Sequence, residues 1–385
     1  MASFDVIVIG LGGMGSAAAA HLAARGQRVL GLEQYQPAHA LGSSHGRSRV
    51  IRLAYFEHPS YVPLLLRAYE LWEQLERDSG RSLLTITGGL MIGTPDSDVV
   101  SGSLRSARAH GLAHELLDAA EIRRRFPPFT PQPGEVALYE ERAGVLRPES
   151  AIHAHLEQAN RHGAELRFDE RVLDWRAQPS GEVEVRTTRG SHTAARLVLA
   201  PGAWAPEMFH LPLLPLEIER QVLYWFAPPG GTAPFAPERF PIYIWDRGEG
   251  VQFYGFPAEA PHKEVPYDRV KVAFFRTGGG ARCTADTIDR VVHPDEVGAM
   301  RDALAPCIPL LSAGNLVETV TCMYTLTPDH HFVIGPHPNH PQVVIASPCS
   351  GHGYKFATVV GEILADLAID GTTRHPIDLF SPRRF

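Results

Sequence analysis

The fold is indicated most clearly by residues 4–34, FDVIVIGLGGMGSAAAAHLAARGQRVLGLEQ. An apolar, β-branched run over 6–9 leads into a glycine cluster, and an alanine- and leucine-rich segment follows and ends at Gly26. A second apolar run covers 29–32. Runs of this length and character predict strand, turn, helix and strand, which is the order of a unit that builds a parallel sheet.

The glycine cluster carries a dinucleotide-binding signature. Gly10, Gly12 and Gly15 form G-x-G-x-x-G directly after the first predicted strand and at the start of the predicted helix. Glycines at these positions let the backbone approach a pyrophosphate, whose negative charge the helix N-terminus favours. Glu33 lies 33 − 15 = 18 residues further on, where a carboxylate can bind ribose hydroxyls. The signature by itself leaves NAD and FAD both open.

The composition is that of an ordinary globular protein. A chain of 385 residues exceeds the size at which one core usually stops growing, so two domains are expected. Its 36 basic and 43 acidic residues give a net charge of −7, which argues against a nucleic-acid binder. No apolar run reaches the ~20 residues of a membrane span, and the 4 cysteines show no metal-ligand spacing. We therefore expect a cytoplasmic protein with no disulfide, no metal and no membrane or nucleic-acid partner.

The rest of the chain alternates between two patterns. Over 149–200, and again over 342–371, helical and strand segments alternate as they do at the start of the chain. Between 207 and 275, proline-punctuated extended segments such as RQVLYWFAPP predict antiparallel strands of a second domain. The sequence thus predicts an α/β fold in which the chain passes back and forth between two domains.

Four ordered segments point to a family. They are GSSHGRSRVIRLAYFEHPSYVPLLLRAYELW (42–72), YGFP (254–257), CMYTLTPDHHFVIG (322–335) and SGHGYK (350–355). With them the chain resembles the monomeric sarcosine oxidase and N-methyltryptophan oxidase family. The resemblance implies a monomer with a Rossmann-like FAD-binding domain interleaved with a mixed-sheet α+β substrate domain. We place the FAD-binding domain at 1–80, 145–215 and 320–385, and the substrate domain at 81–144 and 216–319.

The resemblance also implies an activity. Proteins of this family oxidise secondary or N-methylated amino acids with oxygen, giving hydrogen peroxide and an imine that is hydrolysed to an aldehyde or ketone. The expected partners are therefore a small amino-acid substrate and oxygen. Two alternatives stay open: a flavin amino-acid dehydrogenase that uses another electron acceptor, and a non-catalytic FAD-binding protein.

Cys322 matches the family cysteine that joins FAD through an 8α-thioether. A thiolate is a good nucleophile toward the activated methyl carbon of an oxidised flavin, so the chemistry of the residue permits this bond. Without the resemblance, a single cysteine is more often an inert core residue. Cys349 matches no family motif and keeps that interpretation. The predicted cofactor-binding residues are Gly10, Gly12, Gly15, Glu33, Ser43, Ser44, Val172, Cys322, Gly351 and Gly353.

Two cations match the family pair that holds the substrate carboxylate. They are Arg52 and Lys355, and a guanidinium fork with an ammonium point charge suits such an anion. Either cation taken alone would more often form a surface salt bridge. Both fall within family motifs, so we predict that they form a carboxylate clamp.

The predicted walls of the substrate pocket are aromatic. They are Trp245, Tyr254, Phe275 and Tyr324. Phe275 stands where the family often carries a histidine, and Trp245 stands where it can carry a smaller methionine. If both side chains face the pocket, an apolar or ring-bearing amine is favoured over sarcosine. As core aromatics they would contribute nothing to specificity.

Three further residues match positions near the flavin ring. His45 and Arg49 match residues that lie over the ring, where a guanidinium can balance charge that accumulates on the cofactor. Lys271 matches the lysine that activates oxygen, since a cation lowers the cost of forming superoxide. That match requires an insertion after Tyr254, so Lys263 is an alternative for the same role.

Overall fold

The computed structural model describes residues 4–259, 269–276 and 280–385. Its strands are β1 (Phe4–Ile9), β2 (Val29–Leu32), β3 (Arg49–Ile51), β4 (Leu84–Ile86), β5 (Gly89–Gly93), β6 (Glu115–Asp118), β7 (Val136–Glu140), β8 (Gly144–Leu146), β9 (Glu165–Arg167), β10 (Val172–Ala177), β11 (Val183–Thr187), β12 (Gly190–Leu199), β13 (Glu217–Ala227), β14 (Ile242–Asp246), β15 (Gln252–Ala258), β16 (Val270–Arg276), β17 (Arg282–Cys283), β18 (Asn315–Leu326), β19 (Val333–His337) and β20 (His340–Ser347). Its helices are α1 (Gly13–Ala24), α2 (Val62–Ser79), α3 (Asp98–Ala109), α4 (Ala119–Arg125), α5 (Pro148–Arg161), α6 (Ala205–Met208), α7 (Pro294–Leu304), α8 (Pro309–Ser312) and α9 (Ala357–Asp370).

The first sheet grows from the strand–helix–strand unit at the start of the chain. Its parallel centre has the order β9-β2-β1-β12-β20, and β1 is paired along its length, with Ile7 opposite Leu30 on one side and Leu197 on the other. β10 and β11 extend this sheet through antiparallel pairing with β12. Apolar side chains cover both faces of β1, which explains why its sequence is continuously apolar instead of alternating. The predicted α/β architecture is confirmed.

Helices cover one face of the first sheet. α1 packs against α5 and α9, and α2 packs against α9 in the same hydrophobic core. α9 ends at Gly371 in the left-handed conformation (φ +73°), as the glycine after the last helical turn predicted. Among the helices that the structure describes, none combines the length and apolar character that a membrane crossing requires.

The second sheet is mixed and carries the far wall of the functional site. Its order is β17-β13-β16-β15-β14-β5-β7-β6, and β18 also pairs with β13. The antiparallel pairing predicted for 207–275 is confirmed for β13, β14, β15 and β16. The sequence did not predict that β5 joins β14 in parallel, so that residues of the 81–144 segment extend this sheet.

A small third sheet has the order β3-β8-β4, and along the chain its strands are interspersed with those of the other two sheets. It contains Arg49 at the start of β3, opposite Leu146 of β8. The domain limits at 80, 145, 215 and 320 stay a prediction. β18 runs through the last of them and pairs with β13 over its whole length.

Candidate active site

A cavity of about 360 Å³ extends from the glycine turn after β1 to the second sheet. Residues from distant parts of the chain line it. At one end these are Gly10, Gly12, Glu33, Glu170 and Val172; in the middle Ser43, Ser44, Arg49, Cys322, Gly351 and Gly353; at the other end Arg52, Ile244, Tyr254, Phe275, Tyr324 and Lys355. Most of the predicted site residues therefore meet in one elongated cavity.

The three motif glycines have different structural roles. Gly10 has φ +84°, and a Cβ there would lie 2.5 Å from the Ala200 carbonyl oxygen. A Cβ on Gly15 would lie 1.7 Å from the Gly10 carbonyl oxygen, so Gly15 permits the close packing of α1 on the turn and does not itself line the cavity. Among the described residues, a Cβ on Gly12 would meet only Ser44 Oγ, at 3.6 Å. The space beside Gly12 is thus open at the N-terminus of α1, where an anion is favoured.

Glu33 is fixed at the end of β2 with its carboxylate in the cavity lining. Its Oε2 accepts a hydrogen bond from the Leu11 amide at 2.9 Å, and its Oε1 accepts one from the Tyr35 amide at 3.2 Å. His39 Nε2 lies 3.4 Å from Oε1. A carboxylate held against the Leu11 amide, next to the open N-terminus of α1, can accept hydrogen bonds from the ribose hydroxyls of a dinucleotide.

Several buried polar atoms of the cavity lining have no hydrogen-bond partner within the described residues. They are Ser43 Oγ, Arg52 Nε, Glu57 Oε1 and Glu170 Oε2. Buried polar groups are normally paired, so these atoms point to a polar ligand that completes them. A ligand with a pyrophosphate, a ribose and a polar ring would offer polar partners to Ser43 and Glu170, and a second polar ligand would do so for Arg52 and Glu57.

Cys322 lies on β18, directly opposite Gln221 of β13, and lines the cavity. The residue is 4% exposed, and its Sγ lies 3.9 Å from the Ser43 carbonyl oxygen. Cys349 lines the same cavity, but burial raises the pKa of its thiol to about 11, which keeps it protonated and unreactive. All four cysteines are free.

Arg52 and Lys355 meet at the far end of the cavity. Arg52 is 1% exposed, its guanidinium lies between the Tyr55 and Phe56 rings at 4.3 Å from each centroid, and it donates to Glu57 Oε2 at 2.7 Å. Lys355 Nζ donates to the His352 carbonyl at 2.6 Å. Burial and the charge of Arg52 lower the pKa of Lys355 to about 7. Two buried cations with one neighbouring carboxylate form a strong site for an anion.

Glu57 is a charged residue of the site that the sequence did not identify. Burial alone would raise the pKa of its carboxyl, but the charges of Arg52, His352 and Lys355 hold that pKa at about 2. The carboxylate is therefore ionised and pairs with Arg52. Its signal in the sequence is an acid five residues after Arg52, within the otherwise apolar and aromatic segment LAYFEHPSY.

Aromatic side chains line the cavity next to the cations. Tyr254, Phe275 and Tyr324 line the cavity, and the Phe275 ring packs edge-on against Phe56 at 6.1 Å and Tyr324 at 6.4 Å. Burial raises the pKa of the Tyr254 and Tyr324 hydroxyls. They are neutral side chains at physiological pH.

The prediction for Trp245 is wrong. The indole is fully buried in the core of the second sheet, stacks on Phe253 at 6.0 Å and donates to Glu135 Oε1 at 3.0 Å. Ile244, its neighbour on β14, lines the cavity instead. Successive side chains on a strand point to opposite faces of the sheet, so Ile244 faces the cavity while Trp245 points into the core.

Arg49 lines the cavity, whereas Lys271 and His45 do not. Lys271 Nζ lies just behind the wall and donates to the Ser48 carbonyl at 3.0 Å, which also accepts from Arg49 Nη1 at 2.8 Å. The His45 imidazole is buried beside the cavity lining, where burial and Arg49 lower its pKa to about 4, and its place over the ring stays a prediction. Lys263, the alternative to Lys271, lies outside the described residues.

Comparisons with known proteins agree with this geometry. Residues 5–367 match a family described as FAD dependent oxidoreductase. The chain is 57% identical over 383 residues to a monomeric sarcosine oxidase of Streptomyces avermitilis, covering 99% of this chain and 98% of that protein. It is 31% identical to an N-methyl-L-tryptophan oxidase of Yersinia pestis, covering 99% of each. The solved structure of NikD, an unusual amino acid oxidase essential for nikkomycin biosynthesis, superposes with a TM-score of 0.83 at 25% identity, over 99% of this chain and 98% of that one.

Proposed function

The chain belongs to the FAD dependent oxidoreductase family, among the relatives of monomeric sarcosine oxidase and N-methyl-L-tryptophan oxidase, and we propose that it oxidises an N-methylated or other secondary amino acid with oxygen. FAD is its cofactor. The proposed products are hydrogen peroxide and an imine that water converts to an aldehyde or ketone. When bound, FAD supplies the two-electron acceptor for the amine.

The observation that carries the proposal is the buried cation pair at the end of the cavity. Arg52 and Lys355 face the same space, and only Glu57 among the described carboxylates lining that end balances them. A substrate carboxylate would add the missing negative charge and accept charge-assisted hydrogen bonds, each stronger than a neutral one. A non-catalytic FAD-binding protein would have no use for such a costly pair of buried cations.

The charge balance also defines what the residues do to the substrate. A carboxylate anchored on Arg52 and Lys355 orients the rest of the molecule along the cavity toward Arg49 and Cys322. Glu57, with a pKa of about 2, is too weak a base to take a proton from the amine. We therefore propose that the amine reacts in its neutral form and that Glu57 does not act as its general base.

The aromatic wall supports a preference for a substrate with an apolar or ring-bearing side chain. Phe275, Tyr254 and Ile244 offer apolar surface to the side chain of a substrate. Sarcosine carries no side chain to fill this space, so it would gain less from binding. We propose N-methyl aromatic or cyclic amino acids as the better substrates.

We also propose that Cys322 joins FAD covalently. The sulfur lines the middle of the cavity, within 3.9 Å of the Ser43 carbonyl and in the same stretch as Arg49, which supports a position beside the flavin ring. Arg49 would balance negative charge on the ring, and Lys271, behind it, would stabilise the negative charge that oxygen acquires. The free cysteines fit a reducing compartment, and we propose that the protein is a cytoplasmic monomer.

An anaerobic titration tests the function. Purified holoenzyme is mixed without air with sarcosine, N-methylphenylalanine, N-methyltryptophan, proline and pipecolate, and the loss of flavin absorbance is followed. We expect an N-methyl aromatic amino acid to bleach the flavin at the lowest concentration and air to restore the colour with one equivalent of hydrogen peroxide. Bleaching that persists in air would favour the dehydrogenase, and no bleaching by any compound would favour the binding protein.

A matched pair of substrates tests the clamp. N-methylphenethylamine differs from N-methylphenylalanine only by the missing carboxylate, so the wild-type protein should prefer the amino acid. Charge-assisted hydrogen bonds contribute about 1.5–3 kcal/mol, so Arg52→Ala should raise KM for the amino acid about 10- to 100-fold. The variant should leave KM for the amine nearly unchanged. An equal effect on both compounds would contradict the clamp.

A further inference from the structure

The backbone turn at Gly46–Ser48 is shaped around the amine of Lys271. Lys271 Nζ donates to the Gly46 carbonyl at 2.6 Å, to the Ser48 carbonyl at 3.0 Å and to Ser48 Oγ at 3.2 Å. An ammonium group has three N–H bonds, and these three acceptors match them. The orientation of the amine therefore depends on how the turn is held.

Arg47, at the centre of this turn, has an unusual backbone. Its φ is +67°, in the left-handed region that side chains other than glycine rarely adopt, and Gly46 before it has φ +94°. In this conformation the carbonyls on both sides of Arg47 accept from the same amine. Strained positions of this kind persist only where surrounding contacts fix them.

The described contacts that fix Arg47 come from residues outside the cavity lining. Its amide donates to Glu149 Oε1 at 3.0 Å, and its Nη2 donates to both carboxylate oxygens of Glu318 at 3.0 and 3.1 Å. Nη1 lies 3.6 Å from Glu259 Oε2, and the guanidinium lies 5.2 Å from the Trp225 ring centroid. Four groups from separate segments thus hold one residue whose side chain does not line the cavity.

We propose that Arg47 is a positioning residue for the oxygen step: it holds the turn whose three oxygens converge on Lys271, and so fixes the position of the amine that would stabilise negative charge on oxygen. The inference rests on the proposed function, in which Lys271 stabilises negative charge on oxygen. Arg47 touches neither the substrate end of the cavity nor Cys322 in the described structure, so its loss should spare the oxidation of the amine.

Arg269 provides a matched control because it binds the same two carboxylates. Its Nη1 donates to Glu318 Oε2 at 2.5 Å, and its Nε lies 3.6 Å from Glu259 Oε2. It is 5% exposed and, in the described part of the chain, makes no hydrogen bond to the turn at 46–48. A change at Arg269 therefore disturbs the charge cluster without removing the side chain that holds the turn.

The experiment compares Arg47→Met, Arg47→Gly and Arg269→Met as holoenzymes in the two half-reactions. We expect both Arg47 variants to lower the rate constant for reaction with oxygen about 10-fold or more, since small displacements of a charged group have effects of this size. The anaerobic bleaching rate should change less than twofold. Arg269→Met should alter neither rate more than twofold. Glycine tests the side chain separately, because it adopts the positive φ freely but lacks the anchors.

Hydrogen–deuterium exchange of the apoproteins gives a readout that needs no activity. Amides of residues 46–48 should exchange faster in both Arg47 variants and at the wild-type rate in Arg269→Met, because the Arg47 amide is bonded to Glu149 and the Ser48 amide to the Gly46 carbonyl. Folded Arg47→Met with wild-type oxygen kinetics would overturn the proposal. If Lys271→Met also reacts normally with oxygen, the proposed role of Lys271 fails. Unchanged exchange in Arg47→Met would then refute the positioning of the amine independently.

Discussion

Exchanging single glycines of the motif for alanine should separate cofactor binding from folding. In Gly15→Ala the new methyl would lie 1.7 Å from the Gly10 carbonyl oxygen and 2.9 Å from its carbon, so α1 must move away from the turn. In Gly12→Ala the new methyl has Ser44 Oγ, at 3.6 Å, as its nearest neighbour in the described part of the chain, and the backbone has an ordinary φ of −68°. Only the first change therefore disturbs the protein itself.

The magnitudes follow from these contacts. Overpacking a buried site costs about 1–3 kcal/mol and more when backbone must shift, and the better helix propensity of alanine returns at most ~1 kcal/mol. Gly15→Ala should therefore lower the free energy of unfolding by about 2–3 kcal/mol, a drop in Tm of about 4–12 °C at ~2–4 °C per kcal/mol. Gly12→Ala should change the stability of the apoprotein by less than about 0.5 kcal/mol.

The two variants should rank differently in cofactor affinity. The Gly12 methyl would occupy the space through which a pyrophosphate approaches the N-terminus of α1, so Kd for FAD should rise at least ~10-fold, or ~1.4 kcal/mol. Both variants are made in a Cys322→Ala background, where FAD binding is reversible, and are followed by apoprotein melting and by FAD titration. A wild-type Tm for Gly15→Ala, or a wild-type FAD affinity for Gly12→Ala, would refute the assignment.

Four other predictions concern the chemistry of the site. The intact mass of the denatured holoenzyme should exceed that of Cys322→Ser by one FAD, and equal masses apart from the substitution would exclude the covalent bond. Lys271→Met should lower the rate constant for reaction with oxygen about 10²–10³-fold. Because burial and Arg49 lower the pKa of Lys271 to about 7, the wild-type rate constant for oxygen should fall as the pH rises above that value, and a pH-independent rate constant would contradict the role of Lys271. Phe275→His should lower kcat/KM for N-methyl aromatic amino acids relative to sarcosine about 10-fold, measured by peroxide formation, and an unchanged ratio would remove Phe275 from the pocket wall. Lys355 has a pKa of about 7 in the folded protein against 10.5 when exposed, so burying its charge destabilises the fold fully below pH 7 and progressively less as the pH rises toward 10.5. Lys355→Met should therefore raise the apoprotein Tm most at pH 6, and an equal gain in Tm at pH 6 and 10 would contradict the lowered pKa.

The sequence alone established the parts of the fold that depend on near neighbours. The apolar run of β1, the motif glycines, α1 and Glu33 lie within 30 residues of each other, and their local pattern is sufficient to predict strand, turn, helix and carboxylate. The distant members of the site came from ordered motifs that resemble a family. Local periodicity could not predict that Arg52, Cys322 and Lys355 line the same cavity, since Arg52 lies hundreds of residues before the other two.

Only the tertiary structure decided which side chains face the cavity. Trp245 and Ile244 are adjacent on β14, and the pairing of that strand with β5 and β15 sets which of them points inward. The turn of Arg47 around the amine of Lys271 likewise depends on contacts between segments that the sequence does not mark as neighbours. Local sequence fixes the conformational preference of a segment, but the direction of a side chain and the charges around it arise from packing between segments far apart in the chain.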